Sequence, residues 1–134
     1  MRIDEVEGIG NVFATKLGEA GINSTDDLLM AAGSPAGRDK VAAATGIGTH
    51  QLLKWVNHVD LMRVDGVGSE YADLLEAAGV DSPAELAQRN AANLAQTFQE
   101  VDAARPNWIR RLPSEATVAG WIASAAAMDK VVSH

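Results

Sequence analysis

The chain has 134 residues, 47% of them hydrophobic, a formal net charge of −7 and no cysteine. That length fits one ordinary domain or two very small ones, and the apolar fraction suffices to bury a core. The missing cysteines exclude disulfides and thiolate metal sites. No run of eighteen apolar residues occurs, and Met1-Arg2-Ile3-Asp4-Glu5 turns acidic too early for a secretory signal, so a cytoplasmic, non-membrane protein is expected. Much of the apolar content is alanine, the best helix former, and β-branched runs are almost absent. An all-α fold follows.

In chain order, Val6-Glu7-Gly8-Ile9-Gly10 is the first punctuation, and a helix follows it up to Gly21. Glycine suits the position just past a helix end. Ser24 with Asp27 reads as a short version of the capping box, and Ser34-Pro35 marks another start. Gly46-Ile47-Gly48 precedes a helix over residues 49–59, where Leu52, Leu53, Val56 and Val59 share one face. Val64-Asp65-Gly66-Val67-Gly68 then repeats the opening phrase, followed by a helix over 69–78, Gly79, and a full start signal at Ser82-Pro83-Ala84-Glu85. Pro113-Ser114 is the last start. About ten short helices are expected.

The chain is internally duplicated. Residues 6–28 and 64–86 align without a gap and share nine of twenty-three positions, so a repeat architecture has to be considered first. A weaker echo pairs 49–56 with 115–122, each ending in tryptophan and a β-branched residue. The offset between the halves has grown by eight, which puts an insertion in the second half around 90–107. The repeats are placed at 1–58 and 59–134 and are expected to pack as one compact unit.

The recurring pattern is Gly-hydrophobe-Gly, then Ala four residues on and Leu three after that. It resembles the helix-hairpin-helix motif and occurs at Gly8-Ile9-Gly10, at Gly66-Val67-Gly68 and, with Leu52, at Gly46-Ile47-Gly48. The fourth expected place reads Leu112-Pro113-Ser114 and has lost both glycines. Over nearly the whole chain, from Asp60–Val80 through Glu85–Asn90 to Arg111–Ser114, the sequence is similar to the uncharacterised bacterial family of domain of unknown function 4332. That resemblance implies paired helix-hairpin-helix turns and leaves function blank. In helix-hairpin-helix motifs generally, the resemblance implies a DNA phosphate held at the turn.

Physically, each turn delivers the free N–H groups of a helix start, which with the helix dipole attract anions. Charge separates the three turns. Residues 60–82 carry Asp60, Asp65, Glu70, Asp73, Glu76 and Asp81 against Arg63, which makes a poor phosphate site. Residues 38–58 carry Arg38, Lys40 and Lys54 against Asp39 alone. A DNA-backbone site is therefore expected at Gly46, Gly48, Thr49 and His50 with Lys54 and Lys40, and secondarily at Gly8, Gly10 and Lys16; Arg38 is expected on the same face. The alternative for all these glycines is helix packing only.

The other expectation is a protein-interaction or assembly scaffold, and the acidic second turn places it slightly ahead of DNA. Its partner is another protein or a second copy. Trp55 and Trp121, at equivalent repeat positions, are expected in the core. Trp108, with Arg105, Arg110 and Arg111, is the candidate interface, either exposed or packed as a loop. Catalysis finds no motif. His50 and His58 stand eight residues apart, too far along one helix to share a metal, and read as surface residues. No cofactor, metal, membrane partner or small-molecule substrate is expected.

Overall fold

A computed structural model describes all residues, 1–134. The chain is helical throughout: a short 3-10 turn, Ile3–Glu5, then α1 (Asn11–Glu19), α2 (Thr25–Ala32), α3 (Pro35–Thr45), α4 (Thr49–Leu61), α5 (Ser69–Ala77), α6 (Pro83–Ala87), α7 (Ala91–Ala104) and α8 (Glu115–Ala126). Eight α-helices and one 3-10 turn stand where about ten short helices were expected. None of them is long and apolar enough to cross a membrane.

Two kinds of helix start alternate with the sequence signals. Five helices begin on a polar side chain that accepts an N–H from the first turn: Ser24 from Asp27 at 3.0 Å, Ser34 from Gly37 at 3.0 Å, Ser82 from Glu85 at 3.2 Å, Asn90 from Asn93 at 3.1 Å, and Ser114 from Thr117 at 3.1 Å. At α2 the box is reciprocal, since Asp27 accepts from the backbone of Asn23 and Ser24. The Asn23 N–H, then the Ser24 hydroxyl and N–H, hold the Asp27 carboxyl below its usual range. The other three helices, α1, α4 and α5, begin on Gly10, Gly48 and Gly68, whose carbonyls accept from Ala14, Leu52 and Ala72. Helices α1 and α5 end alike: Ile22 N–H reaches back to Leu17 and Val80 N–H to Leu75, both at 2.9 Å.

The chain divides into two compact units, Met1–Asp60 with Lys130–His134, and Leu61–Asp129. Each buries its own core, and the boundary falls at residues 60/61 rather than 58/59, with the last five residues assigned to the first unit. Repeat-equivalent residues occupy the same roles in both: Val6 and Val64, Ile9 and Val67, Leu17 and Leu75, Ile22 and Val80, Leu28 and Leu86, Trp55 and Trp121 are all buried. Phe13 meets Trp55 edge-on with centroids 5.0 Å apart, and Tyr71 meets Trp121 at 5.1 Å. The insertion proves narrower and later than 90–107. Helix α7 fills the place of α3, whereas the three-residue connection 46–48 corresponds to a ten-residue loop, 105–114.

The last five residues join the first unit through Arg38. Expected on the surface, this side chain is 4% exposed. Its Nη1 donates to the Ala32 carbonyl at 3.0 Å and its Nη2 to the Ser133 carbonyl at 2.8 Å, while Ser133 N–H donates to Gly33 O at 2.8 Å and Val132 is buried. Gly33 is needed there, because a Cβ would lie 2.9 Å from the Val131 carbonyl oxygen and 2.5 Å from that of Leu29. His58, expected on the surface, is also buried, three residues after Trp55 on the packed side of α4.

Arg38→Met removes both clamp donors and leaves the Ala32 carbonyl without its partner, so it is expected to cost about 1–3 kcal/mol in urea unfolding. Hydrogen exchange at the Ser133 amide should accelerate with it. Unchanged protection of that amide would show that the tail is held by something other than Arg38.

Candidate phosphate-binding turns

The three Gly-hydrophobe-Gly turns share one construction. The first glycine takes a left-handed conformation, with φ of +86° at Gly8, +77° at Gly46 and +87° at Gly66. Other residues adopt this region at a cost of about 1–2 kcal/mol. The middle hydrophobe is buried: Ile9, Ile47 and Val67 are each at most 5% exposed. Below the first glycine of two turns lies the repeat's tryptophan. A Cβ on Gly8 would sit 3.8 Å from Trp55 Nε1, and one on Gly66 only 3.1 Å from Trp121 Nε1. In these turns the first glycine is structural.

The second glycine is different. Gly10 and Gly68 are extended, with φ −80° and −93°, and Gly48 is also outside the left-handed region. A Cβ at Gly10, Gly48 or Gly68 would meet no atom within 4 Å. Neither backbone conformation nor packing explains glycine at these three helix starts. What glycine does provide is an uncapped, unobstructed first turn, open to an approaching group. At the fourth place Ser114 closes the helix start with its own hydroxyl, which also lies 3.0 Å from Thr117 Oγ1.

Electrostatics then distinguishes the three open turns. Neither α1 nor α4 has an acidic residue in its first turn, whereas α5 has Glu70. Glu70 also accepts the Arg110 N–H at 3.1 Å, which ties the inserted loop to this helix start. Of the residues expected to form a site at the α4 start, Gly46, Gly48, Thr49, His50, Lys54 and Lys40 are all exposed. Lys54 stands one turn below His50 on the same face. At the first turn Gly8, Gly10 and Lys16 are exposed as well, but Arg2 is committed to Asp4 at 2.7 Å. That pair holds the Asp4 carboxyl below its usual range. Arg38, in contrast, is withdrawn from any surface site by its burial.

The expected interface in the second repeat is a packed loop with charge on it. Trp108 is half-buried against the core of its unit, and the Arg105 guanidinium lies 4.0 Å from its ring centroid. Ile109 is buried, and Tyr71 donates its hydroxyl to the Arg111 carbonyl at 2.9 Å. Arg105, Arg110 and Arg111 are exposed. The Tyr71 contact had no signal in the sequence, because its acceptor is a backbone carbonyl.

The chain belongs to a family defined by a domain of unknown function, DUF4332, whose model matches residues 7–128. Neither a curated protein nor a solved structure matches it significantly.

The two glycines of one turn should respond oppositely to substitution. Gly46→Ala is expected to lose about 1–2 kcal/mol in urea unfolding. Gly48→Ser, which adds a favoured cap in open space, should leave stability within about 0.5 kcal/mol or raise it. A loss at Gly48 as large as at Gly46 would show that the second glycine is structural after all.

Proposed function

We propose that this DUF4332 chain is a non-catalytic helix-hairpin-helix module that binds nucleic-acid backbone, independent of base sequence, at the Gly46–His50 turn of its first repeat. The observation that supports this most is the second glycine of the turn. It begins a helix where a side chain would fit freely, and that helix start is free of acid. The N–H groups of Thr49, His50 and Gln51, with the dipole of a 13-residue helix behind them, suit a phosphate oxygen. The Thr49 hydroxyl, Lys54 and Lys40 add donors and charge. Gly8–Gly10 with Lys16 is the secondary contact on this reading.

Charge distribution agrees with the choice of repeat. The first unit has six basic against eight acidic side chains, and the second five against ten. A polyanion is repelled less by the first. With Arg38 buried, few cations remain, so affinity should be weak, with a salt dependence as modest as the few phosphate contacts that produce it. Protein-mediated assembly loses the aromatic anchor it relied on, since Trp108 is half-buried under Arg105. What remains of it is charge on the inserted loop.

Fluorescence anisotropy with a labelled DNA duplex tests the proposal. Binding at about 20 mM salt should fade through a salt series. Lys40→Glu with Lys54→Glu should abolish it, and Gly48→Ser should weaken it by supplying its own acceptor to the Gln51 N–H while leaving the fold intact. No binding at low salt, or binding indifferent to all three changes, would rule the turn out.

A further inference from the structure

We infer that the inserted loop 105–114 of the second repeat is a docking surface for an acidic protein segment, whose carboxylates pair with Arg110 and Arg111. This surface lies in the other unit from the phosphate turn and stands or falls separately from it.

Three of the five basic residues of the second unit lie on this loop, in a unit with ten carboxylates. The other two are engaged within the unit. Arg89 meets Glu85 at 3.3 Å and the Gly79 carbonyl, and Arg63 reaches the Asp129 carbonyl at 3.4 Å. Arg105 covers the Trp108 ring. Arg110 and Arg111 are exposed, and their guanidinium groups have no ion-pair partner. Even Glu70, which reaches the loop, takes the backbone N–H of Arg110 instead of its side chain.

Exposed arginines are commonly just solvated, but a solvated loop needs no anchoring, and this one is anchored along its length. Ile109 is buried, Trp108 is half-buried, Tyr71 holds the Arg111 carbonyl, and Asn107 turns the chain at a left-handed φ of 64°. The backbone that carries two unpaired guanidinium groups is thereby fixed before any partner arrives, which lowers the entropy lost on binding. The repeat-equivalent connection in the first unit has three residues, Gly46 to Gly48, with no aromatic and no arginine among them.

The carboxylate is favoured over a nucleic-acid phosphate for two reasons. A nucleic-acid strand continues past the loop into the field of a unit with twice as many acids as bases, whereas a short acidic segment need engage only the loop. Single strands also depend on free aromatic faces for base stacking, and the face of Trp108 beneath Arg105 is taken. Guanidinium forks match carboxylates in two-point geometry.

The test is anisotropy of a short fluorescein-labelled Glu-rich peptide titrated with the full chain at about 20 mM salt, beside a matched Gln-rich peptide and a labelled single-stranded DNA. The Glu-rich peptide should bind saturably and more weakly as salt rises. Arg110→Glu with Arg111→Glu should reduce affinity roughly tenfold or more, and the double Lys variant should fall between, keeping charge but losing the fork. Lys40→Glu with Lys54→Glu should bind the peptide as wild type does, even where DNA binding is lost. Circular dichroism checks the fold, and the double Gln variant serves if charge reversal disturbs it. Equal binding of the two peptides, or indifference to the loop substitutions, would overturn the inference. So would preference for single-stranded DNA that depends on Arg110 and Arg111.

Discussion

The contact on which each repeat is built is a tryptophan pressed beneath a left-handed glycine. Trp55 lies under Gly8 and Trp121 under Gly66, with a second aromatic, Phe13 or Tyr71, against each ring. The indole ties the last helix of a unit to the turn that opens it. Closing the ends of a unit of 65 or 69 residues brings its middle helices onto a shared core. The constraint also fixes where the turn can vary. The first glycine cannot acquire a side chain without strain in φ, and at Gly66 without pressing the ring, so the turn keeps its course. The second glycine faces away, and its surroundings are free to change.

From that shared frame the two repeats diverge by small chemical steps. In the first, both glycine turns lead into helices without an acidic first turn. In the second, Glu70 occupies the equivalent of an open helix start, and the other glycine turn is replaced by a serine cap and a ten-residue loop. A helix N-terminus is a weak anion site in any case, so one carboxylate within its first turn is enough to cancel it. Glu70, the acid in that first turn, also helps to hold the loop, by accepting the Arg110 N–H.

Much of the fold was legible because its signals are local. Starts at Ser24, Ser34, Ser82 and Ser114, stops at Gly21 and Gly79, and the burial of Trp55 and Trp121 all followed from short spacings and from the duplication. Of the residues proposed for the candidate site, Gly46, Gly48, Thr49, His50, Lys40 and Lys54 were exposed, as any surface contact requires. Arg38 was not. In sequence it is one more base beside Asp39 and Lys40, and only the return of the tail ninety-five residues later gives it the second of its two acceptors, the Ser133 carbonyl. His58 was misplaced for a similar reason, since polar character outweighed its position on the packed side of α4.

What the sequence determined by itself was the helical class, the duplication and the alternation of serine-capped with glycine-opened helices, because each depends on residues within one or two turns of one another. Tertiary structure decided that there are two cores, that the final residues complete the first, that Arg38 is interior, and which glycine of each pair is structural. These depend on what lies across space from a given atom: a carbonyl at Ser133, an indole beneath Gly66, nothing at all beside Gly48. No local pattern distinguishes a glycine that must lack a Cβ from one that merely does, because the difference lies in the neighbours and not in the residue.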